Sequence, residues 1–192
     1  STDAAGGVTR YGYDAKDRLV SVQYPLNLTT TYAYDGLGDL IRLSSPDTGI
    51  ATYVPDAAGN VVGATDARGM AAGYVYDALN RQTLATFAGA SVALEYDSTA
   101  IGGAFAKGRL TKVADPSGST TYVYDAWGRV LRKTQGVVSD ASARSFVISY
   151  QHAAGRMTDI TYPSGRVLSY AFDAQGRVSG AAIGGQTVLS GA

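Results

Sequence analysis

The side chains able to do chemistry here are few, and most are written many times over. There is one histidine, His152, one tryptophan, Trp127, and no cysteine. Asp47-Thr48-Gly49 spells the triplet of aspartic proteases, but it follows Ser44-Ser45-Pro46 rather than a hydrophobic strand. Asp14, Asp35, Asp56 and Asp77 are spaced 21 residues apart, Asp97 follows 20 residues later, and Asp125 and Asp173 stand in the same context. A residue repeated in this way is a poor candidate for a unique catalytic group. His152 has no matched nucleophile or carboxylate and is read as a turn residue, since triads and metal sites need several ligands. The residues therefore point away from an enzyme, and they call for no metal and no cofactor.

Two patterns could bind rather than catalyse. Asp and Arg stand four apart at Asp14/Arg18, Asp77/Arg81, Asp125/Arg129 and Asp173/Arg177. They read either as a repeated anion or sugar site or as an arginine that crosses its own turn to pair with Asp or stack on a tyrosine. Trp127 follows Asp125 at a turn tip, where it either stacks on a ligand or packs over the adjacent hairpin.

The elements that must position these groups follow from the spacing. The aspartates close a phrase, Tyr-x-Tyr-Asp, seen at Tyr11 to Asp14, Tyr32 to Asp35, Tyr74 to Asp77 and Tyr122 to Asp125, with Tyr170-Ala171-Phe172-Asp173 a worn copy. Each opens an Asp-x-x-Gly turn, as in Asp35 to Gly38, Asp56 to Gly59, Asp125 to Gly128 and Asp173 to Gly176. The carboxylate can accept a hydrogen bond from the backbone two residues on, and the fourth position wants positive φ. Asp17 and Asn80 replace the glycine in two copies, and Asp and Asn tolerate that conformation best after Gly. A second glycine turn alternates with the first, at Gly49, Gly69, Gly118 and Gly165.

Successive turns about ten residues apart leave strands of about six, the usual length. The expected fold is all-β: an antiparallel hairpin meander of about 16 short strands in a curved or spiralling sheet, residues 1–192 forming one repeat domain of about eight units. Two insertions break the period, one near 98–107 and one near 136–144. Inserted loops on a regular array are where specific function tends to be placed. Repeat seven has no aspartate and reads two ways: counting back from Gly155 or from Asp173 puts His152 in the Asp slot, while Tyr150-Gln151 reads as a decayed Tyr-Asp with a longer turn, and the 21-residue spacing to Asp173 favours His152.

The bulk properties agree. Sixteen basic and sixteen acidic residues cancel, so no global field draws the chain to nucleic acid or acidic lipid. The acids are almost all Asp, which favours turns rather than helix surfaces. No apolar run reaches membrane-spanning length, and the first residues do not read as a signal peptide. The chain starts and stops inside the pattern, as a piece of something longer would.

The repeat resembles the YD repeat of the Rhs family, whose loose consensus Tyr-x-Tyr-Asp-x-x-Gly-Arg-Leu is matched by Tyr122-Val-Tyr-Asp-Ala-Trp-Gly-Arg-Val130 after the partner turn Asp115-Pro-Ser-Gly118. In Rhs toxins, toxin-complex C subunits, wall-associated proteins and teneurins, such hairpins coil into a hollow shell. In the bacterial toxins the shell encloses a C-terminal toxic domain. The resemblance implies a secreted or cell-surface, non-enzymatic stretch of shell wall whose partners are the rest of a larger polypeptide and its toxin domain. The alternative is an adhesion module that binds cell-surface glycan or protein. Terminal edge strands are also expected to associate end to end.

Overall fold

A computed structural model describes residues 1–4, 6–139 and 142–190. Among them, 17 strands, one short α-helix and one 3-10 turn account for the regular structure. The chain groups into two compact units, Ser1–Ser91 and Val92–Ala192.

In the first unit each hairpin is one repeat. The strands are β1 (Arg10–Tyr13) and β2 (Leu19–Gln23), β3 (Thr29–Tyr34) and β4 (Leu40–Ser45), β5 (Gly49–Pro55) and β6 (Val61–Thr65), then β7 (Ala71–Tyr76) and β8 (Gln82–Phe87). Each pairs antiparallel with its neighbour in sequence. The second unit continues the pattern. It holds β9 (Ala90–Tyr96), helix α1 (Thr99–Gly102), β10 (Leu110–Asp115), β11 (Gly118–Tyr124), β12 (Val130–Ser139), β13 (Ser142–Ala153), β14 (Arg156–Thr161), β15 (Val167–Phe172), β16 (Val178–Ile183) and β17 (Gln186–Ser190). These too are joined neighbour to neighbour, all antiparallel. The fold is thus the all-β hairpin meander that the turn spacing demands. A seventeenth strand, one more than the expected sixteen, follows the eighth hairpin: β17 pairs with β16.

Almost nothing is fully buried. Val22, Ala85 and Ala106 are the buried apolar residues among those described. The chain exposes 12164 Å², against about 8,700 Å² for a compact monomer of this mass. Along β5, β7 and β9 the tyrosine face is half-buried, while the interleaved Val54 and Val75 are more than half exposed. Stability must therefore come from cross-strand side-chain pairs on a single layer rather than from a two-layer core.

Every Asp-turn hairpin carries a bulge at the same place. The ladder slips between Ala33 and Tyr34, where the partner skips from Arg42 to Leu40, and the same shift precedes Tyr13, Pro55, Tyr76, Tyr124 and Phe172. A bulge leaves one residue unpaired and increases local twist. Between hairpins the effect is a splay at the Asp-turn edge. β2 pairs with β3 only through Ser21–Gln23 and Thr29–Thr31, β6 with β7 only through Gly63–Thr65 and Ala71–Gly73, and β10 with β11 only from Lys112 onward. At these boundaries, each within one unit, the gap between repeats is a wedge, closed at the second-turn edge and open at the Asp-turn edge.

The insertions take different forms from free loops. Residues 98–108 fold back as α1 and a following turn, packed against β10 and β11. Ala106 and Thr111 are fully shielded there. A Cβ at Gly102 would sit 2.7 Å from the Thr111 methyl and 2.8 Å from Ala106 Cβ. The first insertion is therefore a packed plug. The second lengthens β12 and β13 to 10 and 12 residues. Its residues 140–141 lie outside the described residues.

Candidate functional site

The Asp turn is built around one carboxylate. At Asp125, Oδ1 accepts the amides of Trp127 and Arg129, each at 2.9 Å, while Oδ2 accepts Arg129 Nε at 2.6 Å. The Gly128 amide donates to the Asp125 carbonyl at 3.0 Å, and Gly128 has φ +83°. Asp14/Arg18, Asp77/Arg81 and Asp173/Arg177 repeat this arrangement. Asp35 gives Oδ1 to the amides of Leu37, Gly38 and Asp39. Asp56 uses the Asn60 side-chain amide where arginine is missing. Gly38, Gly59 and Gly176 also lie at positive φ, and Asp17 and Asn80, the two replacements, both have φ 58°.

These contacts hold the carboxyls below their ordinary value of 3.8. The Arg18 amide is the leading cause for Asp14, the Asp39 amide for Asp35, the Asn60 side chain for Asp56, the Arg81 side chain for Asp77 and the Arg177 amide for Asp173. At Asp125 burial opposes ionisation, and the Arg129 amide and guanidinium outweigh it. The Asp47 amide donates to Ser45 Oγ at 3.2 Å in the turn between β4 and β5. Asp47 faces no second carboxylate among its described contacts, so the Asp-Thr-Gly triplet is a turn.

The second aromatic of the repeat has a role that the spacing did not reveal. Tyr34 Oη donates to the Leu19 carbonyl at 2.9 Å, Tyr76 Oη to Val61 at 3.0 Å and Tyr124 Oη to Leu110 at 2.6 Å. Each acceptor is the residue just after the Arg or Asn that ends the preceding Asp turn. Each lies in the splayed wedge, where its carbonyl has no strand partner in the next repeat. Burial pushes the Tyr124 phenol above its ordinary 10.0, so it stays a donor. The arginine fills the same wedge from the turn side. Arg18 lies 4.8 Å from the Tyr34 ring centre and donates Nη1 to the Asp35 carbonyl, and Arg109 and Arg156 stack likewise over Tyr124 and Phe172. Arg18 thus pairs within its own turn and stacks on the next repeat, both at once. The signal was present in the sequence, since hydroxyl donor and acceptor are 14 or 15 residues apart in all three cases. A bulge was needed to bring them together.

Repeat seven departs from this scheme, and its expected register is corrected. His152 is not in the Asp slot. It lies in β13 opposite Met157, with the bulge between Gln151 and His152, which is the position of Tyr124 opposite Val130. Ala153 takes the Asp slot, and the tip shrinks to Ala154 and Gly155, at φ 47° and 78°. One residue is missing from this turn, so counting back from the glycine lands one place off. Trp127 does not pack over the adjacent hairpin: it is 79 % exposed, with the Arg129 guanidinium 4.7 Å from its ring centre.

Among the described residues no group of three or more His, Cys, Asp or Glu is placed to hold a metal ion, and no helix is long and apolar enough to cross a membrane.

Comparison with known proteins follows the same geometry. The crystal structure of TcdB2-TccC3-Cdc42 superposes with a TM-score of 0.77 at 16% identity, over 92% of this chain and 10% of that one. TcdB2-TccC3 without its hypervariable C-terminal region gives 0.77 at 17% identity, over 95% and 11%. The Photorhabdus luminescens Tc holotoxin pore gives 0.76 at 17% identity, over 91% and 10%. The chain therefore spans about a tenth of the length of the structures it matches, and at these identities the likeness is one of fold. No curated protein sequence matches it. The profile of the RHS repeat matches residues 1–29, 17–50, 56–92, 106–138 and 149–186. With well over half of the chain covered, the chain belongs to the RHS repeat family.

Proposed function

We propose that this chain is a non-enzymatic structural module, a stretch of Rhs-type β-wall that acts as a single repeat domain and, within a longer secreted polypeptide, helps enclose and deliver a C-terminal toxic domain. The observation that carries the reading is the stitched single layer. Aspartate, glycine and arginine fix the turns, a tyrosine locks repeats two, four and six each to the one before, and both faces keep large apolar side chains in solvent. Side chains such as Val54, Val75 and Leu189 are more than half exposed, which suits a wall with cargo or further wall against it better than a free-standing domain. Likeness to toxin-complex shells supports the same reading. β17 pairs with β16 and has no second strand partner among the described residues, so the isolated chain should associate edge to edge.

The chain has no cysteine, which makes a labelling test direct. Tyr13→Cys on the tyrosine face and Val54→Cys or Val75→Cys on the other are introduced into the full-length parent and exposed to a bulky maleimide. A wall predicts that one face labels and the other reacts only after denaturation. Equal labelling of both faces in the intact parent would overturn the reading.

A further inference from the structure

Six of the boundaries between the eight repeats fall wholly within one unit, and the wedge between repeats six and seven is unlike the wedges filled by tyrosine and arginine. β12 and β13 pair only from Arg132/Ser149 outward, so Val130 faces His152 across the splay. The slot that holds a bonded tyrosine in repeats two, four and six, Pro55 in repeat three and Phe172 in repeat eight holds a histidine here, which is too short to cross. No hydroxyl reaches the Val130 carbonyl as Tyr124 reaches that of Leu110. Arg129 pairs with its own Asp125 through Nε, as Arg18 does with Asp14, but its guanidinium lies on Trp127 of its own turn, where that of Arg18 lies on Tyr34 of the next repeat.

The result is an open cleft in two lobes that share His152. One lobe, about 280 Å³, lies among Tyr122, Lys133, Tyr150 and Met157, and the other, about 530 Å³, among Trp127, Arg129 and Gly155. His152 Nδ1 is shielded from solvent and has no hydrogen-bond partner, so the wedge is under-satisfied where those of Tyr34, Tyr76 and Tyr124 are closed. Its lining is chemically one-sided. Two cations, Arg129 and Lys133, and three aromatic rings face it, and no carboxylate lines either lobe. The guanidinium keeps its Nη donors after Asp125 has taken Nε. Trp127 offers a ring face in water at the mouth.

We infer that the cleft between repeats six and seven is a binding site for an acidic saccharide, a sugar ring stacked on Trp127 with its carboxylate held by Arg129 and Lys133. Ring stacking by exposed Trp and Tyr suits the apolar faces of sugars. A fork of guanidinium donors suits a carboxylate. The inference is independent of the wall reading, because a wall needs no such gap.

Trp127 is the sole tryptophan, so its fluorescence reports on this site alone. The chain is titrated with hexagalacturonate and, separately, with neutral cellohexaose, and calorimetry repeats the titration for the variants. Saturable quenching by the uronate, weakened by salt, is expected, with the neutral sugar binding at least about tenfold more weakly. His152→Tyr should fill the wedge as tyrosine does elsewhere, raise the thermal midpoint and abolish binding. Trp127→Ala and Lys133→Gln should each weaken binding about tenfold and leave the midpoint in place, and Leu37→Ala, at the matching tip of repeat two, should leave binding unchanged. Absence of saturable binding into the millimolar range overturns the proposal, as does equal affinity for the neutral sugar or undiminished binding by His152→Tyr.

Discussion

Replacing Tyr124 by Phe removes one oxygen and leaves the ring. The structure makes this a test of the stitch between repeats. Its hydroxyl donates to the Leu110 carbonyl at 2.6 Å, in a wedge where β10 and β11 have parted. A hydrogen bond of this kind contributes about 1 kcal/mol net. The same substitution at Tyr34 and Tyr76 removes equivalent bonds at other boundaries. The three sites share no partners, so their effects should add to about 3 kcal/mol. Tyr13→Phe is the internal control, because Tyr13 occupies the same slot in the first repeat, is 60 % exposed and has no hydroxyl partner among the described residues. Its substitution should change stability by less than about 0.5 kcal/mol. Urea unfolding followed by far-ultraviolet circular dichroism would measure each variant, with a fall in midpoint at constant slope marking a true loss of stability. A Tyr13→Phe effect as large as that of Tyr124→Phe would refute the reasoning. So would a triple variant that loses no more than one single, since the wedges would then not be held by their tyrosines.

Two further outcomes are expected. The turn aspartates have folded-state pKa values below 3.8, so the unfolded chain takes up protons first. The stabilisation they give is complete above the unfolded value and lost as pH falls through the depressed folded values. An acid titration at fixed urea should therefore show a steep loss below about pH 4, shallower in Asp125→Asn, and a flat profile from pH 4 down to pH 2 would contradict it. Because Ala106 is fully shielded under the first insertion, Ala106→Leu should overpack the plug and destabilise the second unit by about 1–3 kcal/mol, seen in thermal unfolding, whereas an unchanged midpoint would mean that the plug is loose.

Much of this protein was legible without coordinates, for a reason specific to turns. Which residue can sit at positive φ, and which carboxylate can reach an amide two positions on, are local matters. Asp125, Gly128 and even the substitutes Asp17 and Asn80 therefore declare their conformation in the sequence. Periodicity then converts a local turn into an architecture, because equal spacing leaves no room for anything but short antiparallel strands. What the sequence concealed was non-local. The bulge before each second aromatic, the wedge it opens and the tyrosine that closes it depend on how one hairpin meets the next: donor and acceptor keep a spacing of 14 or 15 residues, but only the bulge brings them together. The plug over Thr111 was equally hidden, since an insertion reads the same whether it packs or projects. His152 shows the limit most plainly. Counting placed it in a turn, and one missing residue moved it into a strand at the mouth of an unfilled wedge. Sequence alone determined the unit and its turns, while the tertiary structure decided which gaps between units are closed.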